Sequence, residues 1–596
     1  MKHIGLRFLL PYMRPYRGAL ALGTVYALIG AASSAFSPAL LGRTIDELLA
    51  GVRAELLALY AAGLVALAAS LAVFRYLLRM LTGRIAAGVS YRMSQDLFDR
   101  ILLFDQATLQ SYGTGELLSR ASNDFIYIWR FYSAGFQMSM HAILLLAIGT
   151  TLMALTSPAL ALMVIALLFG SLLAQVVLGR VLERSFDRVQ QEMAHLSAFA
   201  QEHLSAVRML AAYAQERAMT AAFKHANDVY ARSNLDFVLR SAAISPIPGL
   251  MVRMAAALVL GVGGAMVIGQ QITVGQYVQF IVYLGLLSSA AQQLSQAYER
   301  LQQGSAAAGR IGEVLRRRPR IANAPEAITL VPRGDIRFEG VGVRATGEGR
   351  WALRGIDLHV PAGTTLGIVG ATGAGKTTLL SLLGRVRDPD EGRLTIDGID
   401  IRHIQLEALR CNVVYVPQEP LLFSMPLRDN ITLGLSHVPD ELVHAAAHAA
   451  RLTNDMAQLP HGMATIVGER GATLSGGQKQ RTAIARALVR DPSVLLLDDS
   501  LSSVDTHTAA EILGELASAR AGRTSLIVSQ RVAAVRDAEQ IIVLEEGRIV
   551  ERGTHQTLLA LDGHYAAMYR RELRQAEDDD EHERPVRESD RHQALS

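Results

Sequence analysis

Cysteine is nearly missing from this chain, and so is charge of one sign. The single cysteine, Cys411, excludes an intrachain disulfide framework and is expected as an unreactive free thiol near the core. The 58 Lys and Arg stand against 55 Asp and Glu, a formal net charge of +3. So small an excess over so long a chain gives no basic footprint, and no nucleic-acid partner is expected. The opening stretch MKHIGLRFLLPYMRPYRG is basic but lacks a short apolar core followed by a small-residue cleavage site. It is not read as a secretory signal.

What the chain has is apolar sequence, 50% of 596 residues. That length calls for at least two domains, and the apolar share calls for a membrane part. Crossing a hydrocarbon core of about 30 Å takes about 20 residues of helix. Six apolar runs are read as spans, five of about that length at residues 19–41, 56–74, 134–155, 159–178 and 246–268, and a sixth lying around 277–290. The connections after the first, third and fifth are short. Those after the second and fourth, residues 79–132 and 179–245, are long, helical in period and carry most of the basic residues found in the connections. The positive-inside bias then puts both termini and both long loops in the cytoplasm of a multi-pass cell (plasma or inner) membrane protein. Arg253 lies inside the fifth run and either lines a watery cavity or snorkels. His141, in the third, is expected as a satisfied interior group.

Composition shifts after residue 320. Residues 1–320 are taken as the membrane domain, 321–333 as a linker, 334–573 as a nucleotide-binding domain, and 574–596 as a charged, disordered tail. In the third of these, short β-like runs alternate with helical ones, the pattern of α/β layering. The strand TTLGIVG leads into Gly370-Ala371-Thr372-Gly373-Ala374-Gly375-Lys376-Thr377-Thr378 and then a helical run. This is a phosphate loop in its required strand–loop–helix setting. Its glycines let backbone N–H groups close on phosphates. Lys376 is expected at the β- and γ-phosphates, and Thr377 on Mg²⁺. Downstream, SVLLLDD ends an apolar strand in Asp498, the expected metal-side carboxylate. Neighbouring strand side chains point to opposite faces, so Asp499 must do something else.

Between these lies LSGGQKQR. It resembles the signature motif of ATP-binding cassette proteins, with Ser475, Gly476, Gly477 and Gln478 opening a helix. The resemblance extends in order to Gln418 of VPQEP as the Q-loop glutamine, to VGERG as the X-loop, and to Asp505 of SSVD as the D-loop. In the first half, YGTGELLSRASND and GQQITVGQYVQF resemble the first intracellular loop and the turn between spans five and six of cassette exporters. The resemblance implies a six-helix, all-α transmembrane domain of exporter type with long cytoplasmic helical extensions, followed by an α/β P-loop cassette. It also implies ATP and Mg²⁺ as ligands, the latter on Thr377, Gln418 and Asp498. One cassette per chain implies a second half-transporter subunit as partner, beside membrane lipid and a small amphipathic substrate.

Three positions depart from the family pattern. A glutamate normally follows the strand-ending aspartate as general base; here it is Asp499, one methylene shorter. The switch histidine is replaced by Gln530, which can hydrogen-bond but not ionise. Where an adenine-stacking aromatic is usual there is Ala345, leaving Trp351 as the candidate substitute. Binding groups are kept and hydrolytic groups downgraded. One subunit of a heterodimeric exporter with unequal sites is therefore expected. The alternatives are an importer of this architecture, as in siderophore uptake, and an ATP-gated channel or regulatory subunit.

Overall fold

The computed structural model describes residues 4–51, 53–345, 349–504, 506–518 and 522–583. It separates into two compact units. One holds the chain up to Leu102 and Thr114–Arg317; the other holds Leu103–Gly113 and everything from Arg318 onward.

The first unit is six helices: Arg7–Leu49, Ala54–Leu102, Thr114–Thr156, Pro158–Ser205, Glu216–Ile268 and Val274–Arg316. Each is long and apolar enough to cross a membrane, and each far exceeds the ~30 Å core at 1.5 Å per residue. The sixth helix is the hub and packs on the first and third, while the fourth and fifth pair with each other. Half of the most apolar window of the sixth is buried, against none of the second. That stretch of the second helix therefore offers its leucines and valines outward, as a surface facing lipid does, whereas Leu78, Val89 and Leu97 further along are buried. At the ends joined by the short turns, the first and sixth helices cross so closely that a Cβ on Gly275 would sit 1.9 Å from the carbonyl oxygen of Gly42. Only glycine fits there. Beside it, the Asp46 carboxylate accepts from Thr273 Oγ1 at 2.6 Å and from the Gly275 backbone at 2.8 Å. It thereby caps the start of the sixth helix.

The second unit is built on two sheets. Strands β1 (Ile336–Arg344), β2 (Trp351–Val360), β4 (Glu391–Ile396) and β5 (Ile399–Asp400) form an antiparallel sheet in the order β2-β1-β4-β5. Strands β3 (Thr365–Val369), β6 (Val413–Val416), β7 (Val494–Asp498), β8 (Thr524–Val528), β9 (Gln540–Glu545) and β10 (Arg548–Gly553) form the other, ordered β10-β9-β3-β8-β7-β6. All its neighbours are parallel except the β9–β10 edge pair. Such a sheet is covered on both faces, so its strands read as continuous apolar runs. The alternation survives in which core each residue joins. Val494 and Leu496 belong to the cluster shared with β1, β2 and the helix Lys376–Leu383. Leu495 and Leu497 belong to the opposite cluster, with Ile484 and Ala485 of the helix Gly476–Leu488.

Two expectations need correction, those for Cys411 and for the tail. Cys411 is exposed, not near the core. It lies on the helix Leu406–Asn412, whose Leu409 is the buried residue, and two positions along a helix is about half a turn away. The linker is fastened down. Ile328 pairs with the Ile404 region through Ile328 N to His403 O and Gln405 N to Ile328 O, both 2.9 Å, and Asn323 accepts from Leu406 N at 2.8 Å. The terminal helix His564–Glu583 runs well into the segment expected to be disordered, since no helix breaker occurs before Pro585; residues 584–596 lie outside the described residues.

Candidate nucleotide site

The phosphate loop lies between β3 and the helix Lys376–Leu383. Gly373 and Gly375 have φ of +84° and +101°, a region that side chains strain to enter. A Cβ on Gly375 would also come within 2.6 Å of the carbonyl oxygen of Ala352. These glycines fold the loop from Ala371 to Ala374 back onto itself, with Ala374 N donating to Ala371 O at 3.1 Å. Thr377 and Thr378 follow in the first turn of the helix, whose free N–H groups face any anion in the loop. Lys376 is buried and donates from Nζ to the carbonyls of Gly370 and Ala371 at 2.7 and 2.9 Å. Burial pushes its ammonium below the ordinary lysine range, opposed by the charges of Asp499 and Asp498. A buried cation among carbonyls, facing two carboxylates and a cradle of backbone donors, fits a polyphosphate.

The two aspartates at the end of β7 part company as their alternation requires. Asp498, 2% exposed, accepts from the Tyr415 hydroxyl at 2.7 Å. Asp499 leaves the strand in a left-handed turn, φ +44°, and its backbone N–H donates to Val528 O at 2.9 Å. Its Oδ2 accepts from Gln418 Nε2 at 3.1 Å and from Gln530 Nε2 at 3.5 Å. Burial raises the Asp499 carboxyl above the usual aspartate range and Asp498 adds to this, while Gln530, Lys376 and Arg531 oppose it. Among the described residues no group of three His, Cys, Asp or Glu side chains could hold a metal alone. A cation here would need oxygens from the nucleotide, beside Thr377, Asp498 and Gln418.

Ser475 is the N-cap of the helix Gly476–Leu488. Its Oγ accepts from Gln478 N at 3.3 Å, and Gln478 Oε1 accepts from Ser475 N at 2.9 Å. Gly476 and Gly477 pass close to Ser503. Asp505 lies outside the described residues. Trp351 opens β2, but the Arg344 guanidinium stands over its ring at 5.0 Å from the centroid, and Gly342 is pressed against its edge. Sequence reasoning overlooked Tyr415; its place three residues before Gln418 at the end of a strand was the available signal. In the other unit it overlooked a cavity of about 280 Å³ that brings Arg75 and His141 together with Tyr26, Gln137 and Gln293. His141 thus lines a cavity and is not sealed in the interior.

Residues 20–291 match the family model for the ABC transporter transmembrane region, and residues 353–502 the model for the ABC transporter. The probable multidrug resistance ABC transporter ATP-binding/permease protein YheI of Bacillus subtilis (strain 168) is 34% identical, over 90% of this chain and 92% of that protein. The ATP-dependent lipid A-core flippase of Chromohalobacter salexigens is 30% identical, over 96% and 98%. A bacterial Atm1-family ABC exporter solved with ATP bound superposes with a TM-score of 0.81 at 27% identity, covering 93% of this chain and 98% of that one.

Proposed function

Because this chain belongs to the ABC transporter family, as a multi-pass half-transporter whose one cassette binds ATP and couples its hydrolysis to transport, we propose that it is the slow-site subunit of a heterodimeric exporter. The observation that carries this is the corner made by Asp499, Gln418 and Gln530. Its acid is short, and among the described residues the two side chains that hydrogen-bond to it are amides. A general base must come within about 2.6–3.2 Å of the proton it takes. A shortfall of about 1 Å costs on the order of a hundredfold.

In this reading the backbone of Gly370–Thr378 and Lys376 hold the ATP phosphates. Thr377, Asp498 and Gln418 hold Mg²⁺, which when bound neutralises charge on the β- and γ-phosphate oxygens. Asp499, oriented by Gln530, acts weakly as base. Ser475, Gly476, Gly477 and Gln478 face the nucleotide held by the partner's phosphate loop. The intact signature sequence lets this chain complete a competent site there, where the partner supplies the glutamate and histidine. The basic long loops support a cytoplasmic cassette and cytoplasmic termini. The apolar helix faces and the Arg75–His141 cavity suit amphipathic, drug-like or lipid-like cargo, the kinds of cargo that the names of two relatives suggest for those proteins.

The test is ATP hydrolysis by the purified chain alone and co-expressed with the product of a neighbouring, similarly built gene. The pair should hydrolyse ATP far faster than the single chain. Brisk hydrolysis by the single chain, abolished by D499N, would overturn the unequal-site reading.

A further inference from the structure

The end of β6 reaches both aspartates. Gln418 takes Asp499, and Tyr415, three residues earlier, takes Asp498. The geometry behind the second contact is fixed by the sheet. Strands β6 and β7 are parallel, with Tyr415 opposite Leu496, so Asp498 lies two residues further along. Two residues is one strand period, which puts Tyr415 and Asp498 on the same face. That face carries the core shared with Leu379, Leu380, Leu382 and Leu383 of the phosphate-loop helix. The tyrosine side chain spans the remaining gap to its 2.7 Å contact. Among the described residues, Tyr415 is the one hydrogen-bond partner of the Asp498 side chain.

We propose that Tyr415 is a positioning residue for the metal side of the nucleotide site: its hydroxyl holds one oxygen of Asp498 and turns the other toward the cation that accompanies ATP. This rests on the assignment of Asp498 to Mg²⁺ above. A phenol suits the task for two reasons. It donates one directional hydrogen bond and so fixes the carboxylate rotamer. Being neutral, it leaves the carboxylate charge free to attract a cation, whereas an ammonium in its place would neutralise it. Lys376, the nearest candidate for such quenching, gives its hydrogen bonds to the carbonyls of Gly370 and Ala371. An ordinary phenol, with a pKa of about 10, is a donor throughout the physiological range. Residues that orient a metal ligand are typically worth about tenfold to a hundredfold in metal affinity.

The experiment compares wild type, Y415F and D498N as full-length chains. Mn²⁺ serves as probe, and its uptake in the presence of ATP is followed by electron paramagnetic resonance. ATP binding in EDTA, which draws on the phosphate loop and not on Asp498, reports a folded cassette. Y415F keeps the ring and loses one oxygen. The expected result is metal-free ATP binding like wild type, Mn²⁺ uptake weakened about tenfold, and a changed Mn²⁺ line shape. Wild-type Mn²⁺ uptake by Y415F, with uptake lost in D498N, would overturn the role of Tyr415 and leave the metal assignment standing. Wild-type uptake by D498N would overturn the metal assignment itself, and the role of Tyr415 with it. Loss of metal-free ATP binding in Y415F would overturn the proposal by making Tyr415 a structural residue.

Discussion

The nucleotide pocket has a side that grips phosphate and a side that would handle water, and the two are built differently. The gripping side is mostly backbone: a glycine-bent loop, a helix N-terminus and one buried lysine. Almost every part of it is fixed by conformation, so little can change without losing the loop. The water side is three side chains, Asp499, Gln418 and Gln530, meeting at one carboxylate oxygen. Its competence depends on the length of one acid and the chemistry of one neighbour. In the proposed unequal-site exporter, two substitutions would therefore suffice to slow hydrolysis while the grip on ATP persists. A pocket can keep its affinity and lose its rate because the two are held by different kinds of structure.

The contrast can be broken most directly at Lys376. K376A should weaken ATP binding by on the order of a hundredfold, from a loss of about 3 kcal/mol of charge-assisted contacts. D499N should leave ATP affinity nearly unchanged, as equilibrium binding of a fluorescent ATP analogue would reveal. If D499N costs as much affinity as K376A, the two sides are not separable. Next in size, D499E combined with Q530H should raise turnover by the single chain by about tenfold to a hundredfold in a phosphate-release assay. The two substitutions share one oxygen and should act non-additively. No gain from the double variant would mean that the slowness lies elsewhere.

A smaller effect concerns pH. Burial raises the Asp499 carboxyl, and a base must be ionised to work. Residual hydrolysis by the single chain should therefore fall away at a higher pH than an ordinary aspartate near about 3.9 would dictate, and this limb should vanish in D499N. The sign for stability is the reverse. A carboxyl whose folded pKa lies above its unfolded value favours the fold at low pH, and that contribution is lost as pH rises through the folded value. Thermal unfolding of the chain with and without D499N, across pH 4 to 7, would check it. The smallest effect is expected at Trp351, whose ring already carries Arg344. W351A should change ATP affinity by less than about threefold, since a full base–aromatic stack is worth about 1–3 kcal/mol. A larger loss would return adenine to that ring.

Much of the molecule could be read from the chain because the signals are local. The six apolar runs needed only composition and length, and the loop at Gly370–Thr378 needed only nine consecutive residues. The errors came from surroundings that sequence does not carry. Cys411 was expected near the core, but the short helix turns it outward. Nor does the aperiodic linker before Ile336 show in sequence that Ile328 finds a backbone partner on the 401–405 segment. His141 was expected as a satisfied interior group, and the packing of helices places it with Arg75 on one cavity.

By itself, the sequence determined the six membrane helices, the α/β cassette, the phosphate loop and the departures at Asp499 and Gln530. Each is written in a run of a few to about twenty residues, where hydropathy, period and chain chemistry act between near neighbours. Only the tertiary structure decided what those aspartates touch. Tyr415 and Asp498 are 83 residues apart, and Gln418 and Asp499 are 81 apart. Parallel pairing of β6 with β7 brings them together, since the register of two strands selects which side chains share a face and an end. That register is a property of the assembled sheet, and no stretch of the chain carries it alone.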